Sequence, residues 1–213
     1  MTSTETILVI LGVIMMSHII HFVIFMLNFQ PILMYHRVDD RLRPEELRYI
    51  NHKNKKLDLD QMKIRPKDFK RQMDYLKHHG YQTVSKPLGN RKNVIITFDD
   101  GYEDNYRNAF PVLKEYGFMA IFFVTTDYIS NHKLMEVDKG DDLSFNKMMT
   151  YDQLKEMLTS NMVIGSHTQS HIWLTSLDEE TQKNELVLSK RILEDQLHTT
   201  INTFAYPAGM YDN

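Results

Sequence analysis

The sequence predicts an α/β fold in which a parallel sheet is covered by helices. Short apolar runs alternate with amphipathic stretches from residue 31 onward, the pattern of strands joined by crossover helices. One run, "NVIITFDD" (93–100), is apolar at Val94, Ile95, Ile96 and Phe98, as in a strand buried on both faces. It passes without a spacer into Asp99 and Asp100. Asp-Asp-Gly is good turn chemistry, so the pair alone does not separate a strand end from a site.

Taken in order, the chain opens with Ile7 to Leu27, 21 positions without Asp, Glu, Lys or Arg. As a helix this run would extend roughly 31 Å, about one hydrocarbon core. No basic segment precedes it and no small-x-small cleavage site follows, which favours a retained membrane anchor over 7–29 above a cleaved leader. Arg37, Arg41 and Arg43 follow the run. The positive-inside rule would then keep the next domain cytoplasmic, although it weakens for large translocated domains.

A second unit is expected over 31–213. Strands are predicted over 31–35, 81–85, 93–98, 120–125, 162–165 and 203–206. The stretch 66–79 opens with Pro66, lines up Phe69, Met73 and Leu76, and stops at Gly80, the marks of a helix. Helices are also predicted over 105–116, before Gly117, over 150–159, with Thr150 as N-cap, and over 178–198. The polar segments 39–65 and 127–149 read as long surface excursions of the kind that shape a site.

Composition narrows the function. A net charge of −3 gives no general pull toward nucleic acid or anionic lipid, and no nucleic-acid motif is present. The absence of cysteine excludes disulfides, thiolate metal sites and a cysteine nucleophile. The chemistry-bearing residues follow strands: His36 after the first, Asp99 and Asp100 after the third, His167 and His171 after 162–165, and Pro207, Ala208 and Gly209 after the last, which ends in Tyr206. In parallel α/β architectures these ends open on one face, where sites are built. His167 and His171 are four apart, so on a helical turn both imidazoles would face one way. With one aspartate they form a two-histidine, one-carboxylate set that leaves coordination positions open. The other aspartate can then accept a proton from water.

"TFDDGY" (97–102), "SHTQSH" (166–171) and "FAYPAG" (204–209), in that order, resemble the first three motifs of the polysaccharide deacetylases, carbohydrate esterase family 4 with its NodB homology domain. The resemblance covers about residues 31–213. It implies a distorted (β/α) barrel with a divalent metal, usually zinc, with cobalt, nickel or iron as other occupants, that removes acetyl groups from polysaccharides. It assigns Asp99 as general base and Asp100, His167 and His171 as metal ligands. It also gives the Ala208 N–H, within Tyr206-Pro207-Ala208, to the oxyanion. Ala205 stands where many members carry an arginine. The later motifs that supply an acid histidine are not present before Asn213, so the barrel is expected to be incomplete.

"MYHRVDD" (34–40) is similar to the start of the subgroup acting on poly-β-1,6-N-acetylglucosamine, the biofilm adhesin. There this histidine is thought to be the general acid, which would give His36 a role. The expectation is therefore a membrane-anchored, extracytoplasmic N-deacetylase of an N-acetylglucosamine polymer. Peptidoglycan, chitin oligomers or acetylated xylan are alternative substrates, and an inactive fragment or glycan-binding module is the reading outside enzymes.

Overall fold

The computed structural model describes residues 3–52, 55–129 and 133–211. Helix α1 (Ser3–Asn28) carries the uncharged run, and its apolar side chains from Ile10 to Ile24 stand exposed all round. Among the described residues no helix is long and apolar enough to cross a membrane. The structure thus establishes a helix at the expected anchor but not a span.

After Pro31 the chain enters β1 (Ile32–Tyr35), steps across His36 into the short β2 (Arg37–Val38), and crosses α2 (Glu45–Arg48). A hairpin of β3 (Tyr49–His52) and β4 (Lys55–Asp58) follows, then β5 (Lys63–Ile64), which pairs with β2. Helix α3 (Pro66–His78) starts at its proline, whose missing N–H costs nothing in a first turn, and buries Phe69, Met73 and Leu76 as the spacing requires. Beyond β6 (Gln82–Thr83), strand β7 (Asn93–Phe98) is buried at all six positions.

The expected helix over 105–116 divides into a π-helical turn, Asn105–Ala109, and α4 (Phe110–Tyr116). It ends at Gly117, whose φ of 67° is the left-handed cap that glycine adopts freely. Strand β8 (Ile121–Val124) leads to α5 (Tyr151–Thr159), where Thr150 and Gln153 form a reciprocal capping box. Strand β9 (Val163–Ser166) and α6 (Glu179–Leu197) complete the order.

The main sheet is parallel and runs β1-β7-β8-β9, with β6 beside the start of β7. The pairs Tyr35↔Phe98 and Phe98↔Phe122 put three aromatic side chains at one level. Phe98 stacks on Phe122 with ring centroids 4.6 Å apart and on Tyr35 at 5.3 Å, while Phe69 meets Tyr35 edge-on at 5.2 Å. Such contacts stabilise beyond area burial, and here they hold the strand ends in step. Of the strand expected over 203–206 only one bridge forms, Ser166↔Phe204. Among the described residues the sheet is therefore open, with β1 at its other edge.

The segments 39–65 and 127–149 are not loose surface excursions. Asp138 is fully buried and bonded to Arg43 and, at 2.6 Å, to the Tyr102 hydroxyl. Arg41 donates to both oxygens of Asp141 at 3.2 and 2.8 Å. Arg37 donates to Asp104, Asn146 and the Phe145 carbonyl at 2.5, 2.7 and 2.7 Å, and lies over the Tyr102 ring at 4.0 Å. Buried charges persist only when paired and hydrogen-bonded in this way. The two polar segments clamp each other.

Gly165 lies where β9 passes closest to its neighbours. A Cβ there would sit 2.5 Å from Phe123 Cδ1 and 2.6 Å from Thr203 Oγ1. Gly165→Ala should destabilise the domain by about 1–3 kcal/mol. The expected reading is a lower urea midpoint with an unchanged denaturant slope; an unchanged midpoint would show that the sheet yields easily at this point.

Candidate active site

Because the strands end level, their following residues converge. The Asp99 N–H donates to Tyr35 O at 2.9 Å, extending the ladder by one bond before the chain turns. Asp100 then takes φ 76° and Gly101 φ 97°. At Gly101 a side chain would be strained and would meet Ile129 Cδ1 at 3.0 Å and Val124 Cγ1 at 3.1 Å.

Asp100 Oδ1 lies 3.1 Å from His171 Nε2 and 3.6 Å from His167 Nε2. One ligand atom from each of the three residues falls within 4.8 Å of the others. His36 is half-buried at the same rim, near enough for its charge to act on Asp100 and His167. No hydrogen bond to its ring nitrogens is found among the described residues.

The histidine pair is not on a helical turn. Residues 167–173 form a loop in which Thr168 (φ 67°) and His171 (φ 61°) are left-handed. Thr168 Oγ1 accepts the His171 N–H at 3.0 Å. Glu185 on α6 accepts the N–H groups of Gln169 and Ser170, both at 2.9 Å, and the Ser170 hydroxyl at 2.7 Å. Six non-glycine residues among those described have positive φ, and four of them (Asp100, Thr168, His171 and Ala208) belong to this rim. Strain of this kind concentrates at functional sites, which weighs against a simple turn at Asp99-Asp100-Gly101.

The protonation states differ. Burial, together with the neighbouring Asp100 charge, pushes Asp99 up to about 7. Burial also pushes Asp100 up, but the hydrogen bond and charge of His171, with His167 and His36, outweigh it and hold the group at about 2. Burial lowers His167 to about 4 despite Asp100. His167 is therefore neutral near neutral pH, the form that binds metals. Its Nδ1 lies 2.9 Å from the Ala205 carbonyl, which assigns the proton to Nδ1 and leaves an Nε2 lone pair facing the Asp100 carboxylate. Two electron pairs opposed at 3.6 Å with no proton between them suit a cation. The residues fit a divalent metal.

The segment after α6 completes the rim. Ala205 bonds back to Ser166 through its N–H at 3.0 Å. Pro207 is buried, Tyr206 is exposed, and Ala208 takes φ 54°. No partner for the Ala208 N–H is found among the described residues, so it is available to an incoming oxygen. Glu185, Thr168 and the Arg37 network are supports that sequence reasoning missed. Thr168 lies within the quoted SHTQSH and Arg37 beside His36 in MYHRVDD, whereas Glu185 stands in no recognisable spacing with the loop it braces.

A parallel α/β sheet with a two-histidine, one-aspartate cluster and a second carboxylate at its C-terminal rim forms a candidate metal centre on an α/β domain. Residues 86–213 match the polysaccharide deacetylase family, and the chain belongs to that family. It is 30% identical over 194 residues to YxkH of Bacillus subtilis (strain 168), which is assigned to the polysaccharide deacetylases; the match covers 85% of this chain and 57% of YxkH. It is 25% identical to the poly-β-1,6-N-acetyl-D-glucosamine N-deacetylase of Staphylococcus aureus, over 85% of this chain and 65% of that one. Among solved structures it is similar to the Streptococcus pyogenes deacetylase PplD in complex with acetate. That match has 29% identity and a TM-score of 0.65, and covers 86% of this chain and 75% of PplD. The chain thus spans less than two thirds of the length of these two curated relatives.

His167→Ala, His171→Ala and Asp100→Ala should each abolish stoichiometric zinc or cobalt, measured by elemental analysis of the purified protein. Asp99→Asn should keep it. Full metal content in the double-histidine variant would refute the ligand assignment.

Proposed function

We propose that this domain hydrolyses the N-acetyl groups of an N-acetylglucosamine polysaccharide, with a poly-β-1,6-linked polymer as the favoured substrate. The observation that carries this is the division of labour between adjacent aspartates. Asp100 is held ionised among imidazoles, while Asp99 retains proton affinity. The relatedness to the S. aureus enzyme supports the choice of polymer.

Asp100, His167 and His171 would hold the metal, with zinc favoured and cobalt, nickel or iron as other occupants. When bound, such an ion polarises the acetamide carbonyl and makes water more acidic. Asp99 takes the proton of the attacking water. A cation beside Asp100 would also lower the proton affinity that burial confers on Asp99. The Ala208 N–H donates to the oxygen that gains charge when the carbonyl becomes tetrahedral. Pro207 and the flanking backbone hold that N–H in place, and Tyr206 presents an exposed ring to the sugar. His36, with its ring free, protonates the nitrogen as the C–N bond breaks. Acetate and an amino sugar result.

The site describes acetyl chemistry rather than sugar linkage. Comparing acetate release from β-1,6-linked oligomers with that from chitin oligomers, peptidoglycan and acetylated xylan identifies the substrate. His36→Ala should lower turnover on an N-acetylglucosamine oligomer by about 10²–10⁴, the span of general acid catalysis, without loss of metal. It should lose much less on an activated aryl acetate, whose leaving group needs no proton. Equal losses on both substrates would make His36 structural.

The uncharged helix motivates a further part of the reading, a membrane anchor that holds the domain outside the cytoplasm. The full chain should fractionate with membranes and resist carbonate, and a chain beginning at Gln30 should be released. Protease added to protoplasts should degrade an exported domain. Protection would instead favour the cytoplasmic orientation that Arg37, Arg41 and Arg43 suggest.

A further inference from the structure

We infer that the N-terminal end of the sheet is a docking face for an anionic phospholipid bilayer, so that the catalytic rim opens away from the membrane. The inference rests on the anchor reading above. Its first ground is topology. Helix α1 ends at Asn28 and the chain enters β1 at Ile32, by its N-terminal end. Because β1, β7, β8 and β9 are parallel, that end is opposite the rim carrying His36, Asp100 and His167. The six residues of β7 set the two ends roughly 20 Å apart. A chain emerging from a bilayer at α1 therefore presents the base of the sheet to the lipid first.

The second ground is charge. From Tyr75 to Phe98 there is no Asp or Glu, while Lys77, Lys86, Arg91 and Lys92 fall in that stretch. All four are exposed, in a chain whose net charge is −3. Among the described residues Lys86 and Arg91 make no ion pair.

The third ground is shape. A groove of about 680 Å³ is lined by Phe22 and Val23 of α1, Phe29, Pro31, Tyr81, Arg91 and Lys92. The Lys92 ammonium lies 4.9 Å over the Tyr81 ring. Gln30 Oε1 accepts the Leu88 N–H at 2.8 Å, tying the loop 85–92 to the segment below the helix, and Leu88 projects into solvent. An apolar wall from the helix, a cationic edge and an exposed leucine suit a phospholipid, with its acyl chain along α1 and its phosphate at Arg91 and Lys92. The substrate reached by the rim is then glycan lying beyond the headgroup layer, not a sugar at the bilayer surface.

Trp173 is the only tryptophan and stands on the rim two residues after His171, so the chain carries its own reporter. The full chain is reconstituted in phosphatidylcholine vesicles with and without phosphatidylglycerol, each containing a quencher near the headgroups. Trp173 should be unquenched in both. A Trp173→Phe/Leu88→Trp chain should be quenched, more strongly with phosphatidylglycerol and less in high salt. Each basic side chain near an anionic surface favours docking about fivefold. Adding Lys86→Gln, Arg91→Gln and Lys92→Gln should therefore return the quenching to its phosphatidylcholine level.

Failure of the chain to associate with either vesicle would overturn the anchor itself. Association with a quenched Trp173, or with an unquenched Leu88→Trp reporter, would overturn the docking face and leave the anchor standing. Quenching indifferent to phosphatidylglycerol, to salt and to the triple substitution would remove the anionic lipid. Relief of quenching by a soluble polyanion at unchanged vesicle binding would reassign the basic face to an acidic polymer.

Discussion

A carboxylate with almost no contact with water has to be answered by proton donors or positive charge, and Asp100 makes that demand at the centre of the molecule. Much of the rim can be understood as the answer. Two imidazoles and a third more distant histidine face it. The left-handed turn at Asp100 and Gly101 aims the carboxylate inward, and the level strand ends bring its partners into reach. The aromatic column of Tyr35, Phe98 and Phe122 keeps those ends level. A slip of one residue in β7 would carry the aspartates to the opposite face of the sheet. Packing in the core and charge at the rim are thus one constraint seen at two depths.

Asp99 and Asp100 were legible because an unbroken apolar run ends in them, and His167 and His171 because of their spacing. The geometry joining them was not legible. Spacing suggested a helical turn, but the pair is presented by a loop with left-handed Thr168 and His171, a conformation that neither residue type advertises. The π-helical turn at Asn105–Ala109 was hidden in the same way. It accompanies a bond from Asn105 Nδ2 to the His36 carbonyl at 3.0 Å, a partner about seventy residues away. The polar segments 39–65 and 127–149 read as solvent-facing because composition counts charges and not their partners. Arg43 and Asp138 are buried because each has the other.

That clamp also bears on His36. Arg37 is drawn inward by Asp104, Asn146 and the face of Tyr102, which fixes the backbone immediately after the bend at His36. Val38 N–H donates to Asp104 at 2.9 Å, so the same carboxylate holds the backbone just beyond. A polar network that looks like surface decoration in the sequence thereby fixes the chain on the C-terminal side of a single imidazole.

Helix α6 shows a stripe at four-residue spacing: Glu185, Ser189, Leu193 and Leu197. Its far end is core, with Leu193 and Leu197 buried. Its near end is polar, with Ser189 Oγ 2.7 Å from Ser166 Oγ and Glu185 gripping the loop before His171. One rigid rod therefore reaches from the hydrophobic interior to the loop that carries the candidate ligands His167 and His171. The rod cannot lift from the sheet without letting go of that loop. Opening of that loop and loosening of the interior would then be coupled, and the candidate site would have no separate mode of wear.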